Sequence, residues 1–195
     1  MAKVIAAEQK VQRDHGFAPV SHETNLFHAF IDNGLITLGP DGKIQSWKAM
    51  PWPSGGSAAI VLARPDDAMT KASVAALLAA LQCDSQSGIA AIVDADAIKA
   101  MGGNPAASFY VNFQIGTSAG SFADQGKGLF GVPKSKGTHG WFPAAPEMRA
   151  SFMIMGPGVP KGRALGEIDQ RAIAPTLAGI MGAKLSDAEV PGLTF

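Results

Sequence analysis

The sequence predicts an α/β fold. Three observations carry that expectation. From Ala58 to Gln114, short apolar runs alternate with longer segments of helical periodicity. The 195 residues are 47% hydrophobic and 16% charged, which is enough apolar surface to bury a core. Near the other end, a strongly apolar run from Ala150 to Met155 is followed by a second helical pattern, about Arg171 to Met181.

Taken in order, Lys3 to Gln12 reads as a short helix with Val4, Ala7 and Val11 on one face. Arg13-Asp14-His15-Gly16 stops it. Phe17 to Glu23 reads as a loop, because Pro19 and Ser21 suit one. Thr24 is placed to cap a helix from Asn25 to Asp32, which Asn33-Gly34 ends. Leu35–Leu38 and Lys43–Trp47 flank Gly39-Pro40-Asp41-Gly42 and read as a hairpin. Pro51 to Gly56 reads as irregular.

A regular pattern follows. Ala58–Ala63, Ile89–Val93 and Ser108–Gln114 read as strands, with helices at Asp66–Gln82 and Asp94–Met101 between them. That order suggests a small α+β lobe of ferredoxin-like character. Gly116 to Gly137 reads as a long Gly/Ser/Lys loop, a length that marks function or mobility. Ala150–Met155 reads as a strand closed by Gly156-Pro157-Gly158. The Arg171–Met181 helix takes Pro175 in its first turn, where it is tolerated. The implied organisation is the start of a core over 1–57, an inserted α+β lobe over 58–114 and the remainder of the core over 115–195.

Charge excludes one class of partner. Lys plus Arg equals Asp plus Glu at 16 each, so no nucleic-acid partner is expected that depends on bulk positive charge. Lys127, Lys134 and Lys136 read as a solvated loop. Cys83 is the single cysteine, so it has no partner for an internal disulfide and no CxxC neighbour; it reads as a buried structural thiol. No apolar run nears the ~20 residues of a membrane span, and Met1 to Glu8 does not form a signal peptide. Neither export nor membrane insertion is expected from the chain as given.

The histidines carry the chemistry worth weighing. His139 stands in Gly137-Thr138-His139-Gly140, where glycines permit a tight turn and a close approach. His15 follows Asp14 and precedes Gly16. A carboxylate and an imidazole side by side can serve one ion, although the same residues also suit a helix end. His22 lies close by in sequence. His28, beside Phe27, reads as a satisfied histidine on a helix.

In combination these motifs are more specific. Asp14-His15-Gly16-Phe17, Asn25, Gly55-Gly56, Gly137-Thr138-His139-Gly140, Met148-Arg149-Ala150, Gly156-Pro157-Gly158, Ile168-Asp169, Ala174-Pro175-Thr176-Leu177 and Met181-Gly182 occur in that order. The order and spacing resemble the C-terminal half of the alkaline phosphatase superfamily, in its type I phosphodiesterase/nucleotide pyrophosphatase branch. The resemblance runs from about Asp14 to Leu193.

It implies the C-terminal portion of an α/β/α sandwich carrying the inserted lobe. It implies a metal-dependent hydrolase of phosphate esters, with two zinc ions and a Ser or Thr nucleophile. Asp14 and His15 match the pair on the ion that holds the nucleophile, and His139 matches the last histidine, on the other ion. His22, Asn25 and Thr138 are candidates to support these ligands from behind. The implied ligand is a phosphate ester or nucleotide.

The family's earlier Asp, its nucleophile and its Asp-x-x-x-His pair lie upstream of the Asp-His-Gly motif. Only thirteen residues precede Asp14, and they hold none of these. Lys10-Val11-Gln12-Arg13 also stands where the family has an apolar strand. An N-terminal truncation, an internal deletion or a mis-called start each accounts for this. No catalytic nucleophile is therefore assigned within the chain; Ser21 and Thr24 are near Asp14, but nothing marks either as activated. Relatives of full length are often exported. The alternatives are a non-catalytic remnant with a partial metal site, or an interaction module. Unpaired sheet edges would also favour self-association.

Overall fold

The computed structural model describes residues 15–156 and 159–194. The helix expected at Lys3–Gln12, and Asp14, lie outside the described residues. The chain divides into two compact units, one built from 14–150 and one that includes 151–195.

In chain order the larger unit contains β1 (Ala18–Pro19), β2 (His22–Thr24), α1 (Leu26–Asp32), β3 (Ile36–Leu38), β4 (Ile44–Trp47), β5 (Ala49–Pro53) and β6 (Ser57–Leu62). Then come α2 (Ala68–Cys83), β7 (Ile89–Asp94), α3 (Ala95–Ala100), β8 (Ala107–Phe113), β9 (Thr117–Ala119), β10 (Phe130–Gly131) and β11 (Gly137–Thr138). The result is a mixed α/β architecture of several small sheets and few helices.

The main sheet has the order β5-β6-β8-β7, and every neighbouring pair is antiparallel. β6 and β7 both run against β8, so they are parallel to each other with β8 between them. The connection β6-α2-β7 thus steps over the strand that fills the gap. Ala58, Ile60 and Leu62 of β6 and Phe109, Val111 and Phe113 of β8 share one buried cluster with α1 and α2. Leu26, Phe27 and Phe30 of α1 and Val74, Leu78 and Leu81 of α2 complete it. Their i, i+1, i+4 spacing on α1 and i, i+4, i+7 spacing on α2 put each set on one helical face. Ala59, Ala107 and Ile98 form a separate, smaller cluster with Val93 and Tyr110.

Caps set the helix ends. Asn25, rather than Thr24, opens α1: its side-chain oxygen accepts from the Phe27 and His28 N–H groups at 3.1 and 3.4 Å. Thr24 instead donates its hydroxyl to the Ser87 carbonyl at 2.7 Å. Asp67 caps α2 through the Thr70 N–H, at 3.0 Å. Cys83, expected to be buried, is exposed at the last position of α2. The buried face of α2 runs through Val74, Leu78 and Leu81, and position 83 falls off that stripe.

The hairpin β3–β4 forms as expected, as do the strands and helices from β6 to β8. Four stretches differ. The expected loop at Phe17–Glu23 holds β1 and β2. Pro51–Gly56 is irregular only from Ser54, because β5 pairs with β6 from Ala49 to Pro53. Proline is tolerated there because β5 is an edge strand, where a missing N–H has no ladder partner to lose. The expected loop at Gly116–Gly137 contains β9, β10 and a 3₁₀ turn at Phe122–Lys127. Strands of two or three residues are too short to show a hydropathy period, so only long-range pairing reveals them.

The fourth difference runs the other way. Ala150–Met155, expected as a strand, is irregular, with Met153 and Met155 exposed. A strand is defined by a neighbour, and no described strand pairs with this run.

In the second unit, a 3₁₀ turn at Gln170–Ala172 leads into α4 (Ile173–Ile180), as the sequence predicts. Arg171 forks onto Asp169 (Nη2 to Oδ2, 2.7 Å) and reaches Glu189 (Nη1 to Oε2, 2.8 Å). That contact holds the Asp169 carboxyl below its usual range. The Thr176 hydroxyl donates to the Ala172 carbonyl at 2.6 Å and accepts from the Leu193 N–H at 2.7 Å, tying the tail to the helix.

Candidate metal centre at His15 and His139

His15 and His139 are 124 positions apart in sequence, yet their rings lie face to face. The centroids are 3.9 Å apart and the planes 16° from parallel. His15 is half-buried and His139 exposed, so the pair opens to solvent.

Backbone contacts produce this meeting. β1 pairs antiparallel with β11, setting Ala18 opposite Thr138 and Pro19 opposite Gly137. The Val20 N–H donates to the Lys136 carbonyl at 3.0 Å, and the Gly16 N–H to the Met148 carbonyl at 2.9 Å. On the other side, the Gly56 N–H donates to the His139 carbonyl at 2.7 Å. The Ser57 hydroxyl donates to the Gly140 carbonyl at 2.6 Å. The main-chain carbonyls of His139 and Gly140 are therefore both occupied.

The glycines exist for this crossing. A Cβ on Gly140 would overlap the Ser54 carbonyl, and one on Gly55 would overlap the His139 carbonyl. Both also lie at positive φ, +88° and +83°. A Cβ on Gly56 would enter the Trp141 ring, and one on Gly137 the Phe17 ring. Trp141 is 4% exposed, packs with Ala18 and Val20, and donates its indole N–H to the Gln114 carbonyl at 3.1 Å. It is the bolt that fixes the segment carrying His139, which directly follows β11.

His15 Nδ1 lies 2.7 Å from the Gly16 carbonyl. A carbonyl can only accept, so Nδ1 is the donor in this contact. Metal-bound histidines are commonly oriented by such a bond from the second nitrogen.

The candidate supporting residues divide. Thr138 adjoins the pair, with its hydroxyl against Gly55. His22 is engaged elsewhere: its Nε2 lies 2.7 Å from the Gln86 carbonyl and its ring is tilted against Phe130. Asn25 caps α1 and donates its amide to the Ser121 carbonyl at 3.0 Å. His28 is satisfied, as expected, between the Gln125 carbonyl and Asp32. Among the described residues no three His, Cys, Asp or Glu side chains form a group able to hold an ion.

Sequence reasoning missed a charged cluster in the long loop. Buried Asp124 takes Lys127 Nζ at 2.6 Å and Lys134 Nζ at 3.0 Å on one oxygen, Oδ1. The Ser121 hydroxyl donates to its other oxygen at 2.8 Å. Lys127, then Lys134 and Ser121, hold the Asp124 carboxyl far below its ordinary value. Burial, then the Asp124 charge, pushes Glu23 up. The two lysines are thus not merely solvated. Ser121-x-x-Asp124-x-x-Lys127 was the available signal: one-turn spacing lets all three side chains meet.

The chain matches no family model, no curated protein and no solved structure.

Proposed function

We propose that the chain belongs to a metal-dependent hydrolase of phosphate esters, of the phosphodiesterase/nucleotide pyrophosphatase type, and that His15 and His139 are zinc ligands. The observation that carries this is the stacking of the two histidines at 3.9 Å. They are the two described members of the ligand set that the motifs imply, and imidazole nitrogens suit zinc. Asp14 would join His15 on its ion. In this reading β6 to β8, with α2 and α3, form the inserted lobe of an alkaline-phosphatase-like sandwich.

Bound zinc would supply charge neutralisation at a phosphate ester and a lowered pKa for an attacking oxygen. The chain's own part is positional. β1 and β11 bring the two imidazoles together, and the Gly16 carbonyl holds the His15 ring through Nδ1. Trp141 and the glycine contacts keep His139 from retreating. Zinc binding that is lost in His139→Ala is the expected result, and turnover of a chromogenic phosphodiester lost in the same variant would select an active chain. Turnover that survives His139→Ala would remove the reading.

A second reading is a metal site without turnover. It is favoured by the lack of a three-ligand group among the described residues. Stoichiometric zinc with no hydrolysis of the diester would select it.

A further inference from the structure

The loop that supplies Asp124 also walls a cavity of about 250 Å3, lined among others by Glu23, Asp124, Lys127, Phe130, Val132 and Lys134. We infer that this cavity binds a phosphate monoester, with its phosphate on Lys127 and Lys134 and its organic part on Phe130 and Val132. The site is separate from the histidine pair and does not rest on the zinc reading.

Geometry carries the inference. Two ammonium groups converge on the single oxygen Oδ1 of Asp124. The Asp124 side chain is only 11% exposed, whereas those of the two lysines are 66% and 73% exposed. The carboxylate therefore sits behind the cations and fixes them in place. An ammonium has three donors, so each lysine, paired with Asp124 by charge, keeps N–H groups for an incoming anion. Two pre-positioned, solvent-facing cations suit the several oxygens of a phosphate dianion. Holding them together before the ligand arrives removes part of the ordering cost of binding.

The rest of the wall speaks for an organic phosphate. Val132 is 84% exposed and Phe130 half-buried, so an apolar surface adjoins the ammonium pair. Gly128 and Gly131 leave open space beside them: a Cβ on either would touch nothing within 4 Å. Glu23 is the one group in the cavity that opposes an anion without also anchoring a lysine within salt-bridge distance. Its raised pKa makes it easier to protonate, and once protonated it becomes a donor.

The test is a titration of the whole chain with inorganic phosphate and with phenyl phosphate, followed by amide and lysine NMR shifts. It is run in chelator, at ionic strength matched with chloride, and repeated on His139→Ala. Saturable shifts at Lys127, Gly128 and Gly131 are expected in both proteins, with phenyl phosphate binding tighter than inorganic phosphate. Lys134→Gln should weaken binding about tenfold, the loss of one charge-assisted contact, and Lys134→Arg should restore most of it. If Lys134→Gln unfolds because Asp124 loses a partner, the double variant Asp124→Asn/Lys134→Gln removes the stranded charge and should still bind weakly. Shifts reproduced by chloride, phenyl phosphate binding no tighter than phosphate, or affinity indifferent to Lys134→Gln would overturn the assignment. Because metal is excluded and His139 can be absent, failure here leaves the zinc reading standing, and the reverse holds as well.

Discussion

The segment carrying His139 and the loop carrying Asp124 are neighbours in sequence but are held by different forces. Around His139 the contacts are backbone on backbone, at distances only glycine permits, closed by one buried indole. Around Asp124 they are side-chain charges: two ammoniums and a hydroxyl on one carboxylate. The first arrangement should answer to volume and be indifferent to salt and pH. The second should answer to both and tolerate changes in volume.

The largest expected effect is at Trp141. Trp141→Ala empties a buried position and should cost about 3–5 kcal/mol of unfolding free energy by urea denaturation. Gly140→Ala comes next: strain at positive φ alone is worth about 1–3 kcal/mol, and the overlap with Ser54 adds to it. Neither loss should change between low salt and about 1 M salt, where exposed charges are screened within about 3 Å.

Asp124→Asn should be milder and conditional. The Asp124 carboxyl is held below its ordinary value in the folded chain. Its contribution is therefore present above about pH 4 and is lost as pH falls through its folded value. Lys127, raised by the same contact, contributes below about pH 10.4 and loses that as pH rises through its own folded value. The urea midpoint of Asp124→Asn should thus fall below wild type near pH 7, and the gap should close in acid and narrow in high salt. A gap that persisted in acid would place Asp124 with the volume-controlled contacts instead.

The same contrast explains what the sequence could and could not reveal. The helices α1, α2, α3 and α4 and the strands β6 to β8 were legible because local period and caps report burial directly: Val74, Leu78 and Leu81 fall on one stripe. The histidine pair was legible only as motif order. Nothing local links His15 to His139; the β1–β11 pairing that joins them spans two residues each. The Asp124 cluster hid in a stretch read as loop, where charges look solvated until burial is known. Met153 and Met155 misled in the other direction, since an apolar run shows an appetite for a strand but not the neighbour that makes one.

The smallest expected effect on stability belongs to His139 itself. An exposed side chain whose segment is held by its backbone should be removable within about ±0.5 kcal/mol. That makes His139→Ala, beside His15→Ala, a clean probe of the central claim. Zinc titration by calorimetry is the direct measurement. If the two histidines ligate zinc, the wild-type chain binds it saturably and each single variant, still folded, binds less zinc or binds it more weakly. Unchanged zinc affinity in either folded variant, or no zinc bound by the wild type, would contradict the claim.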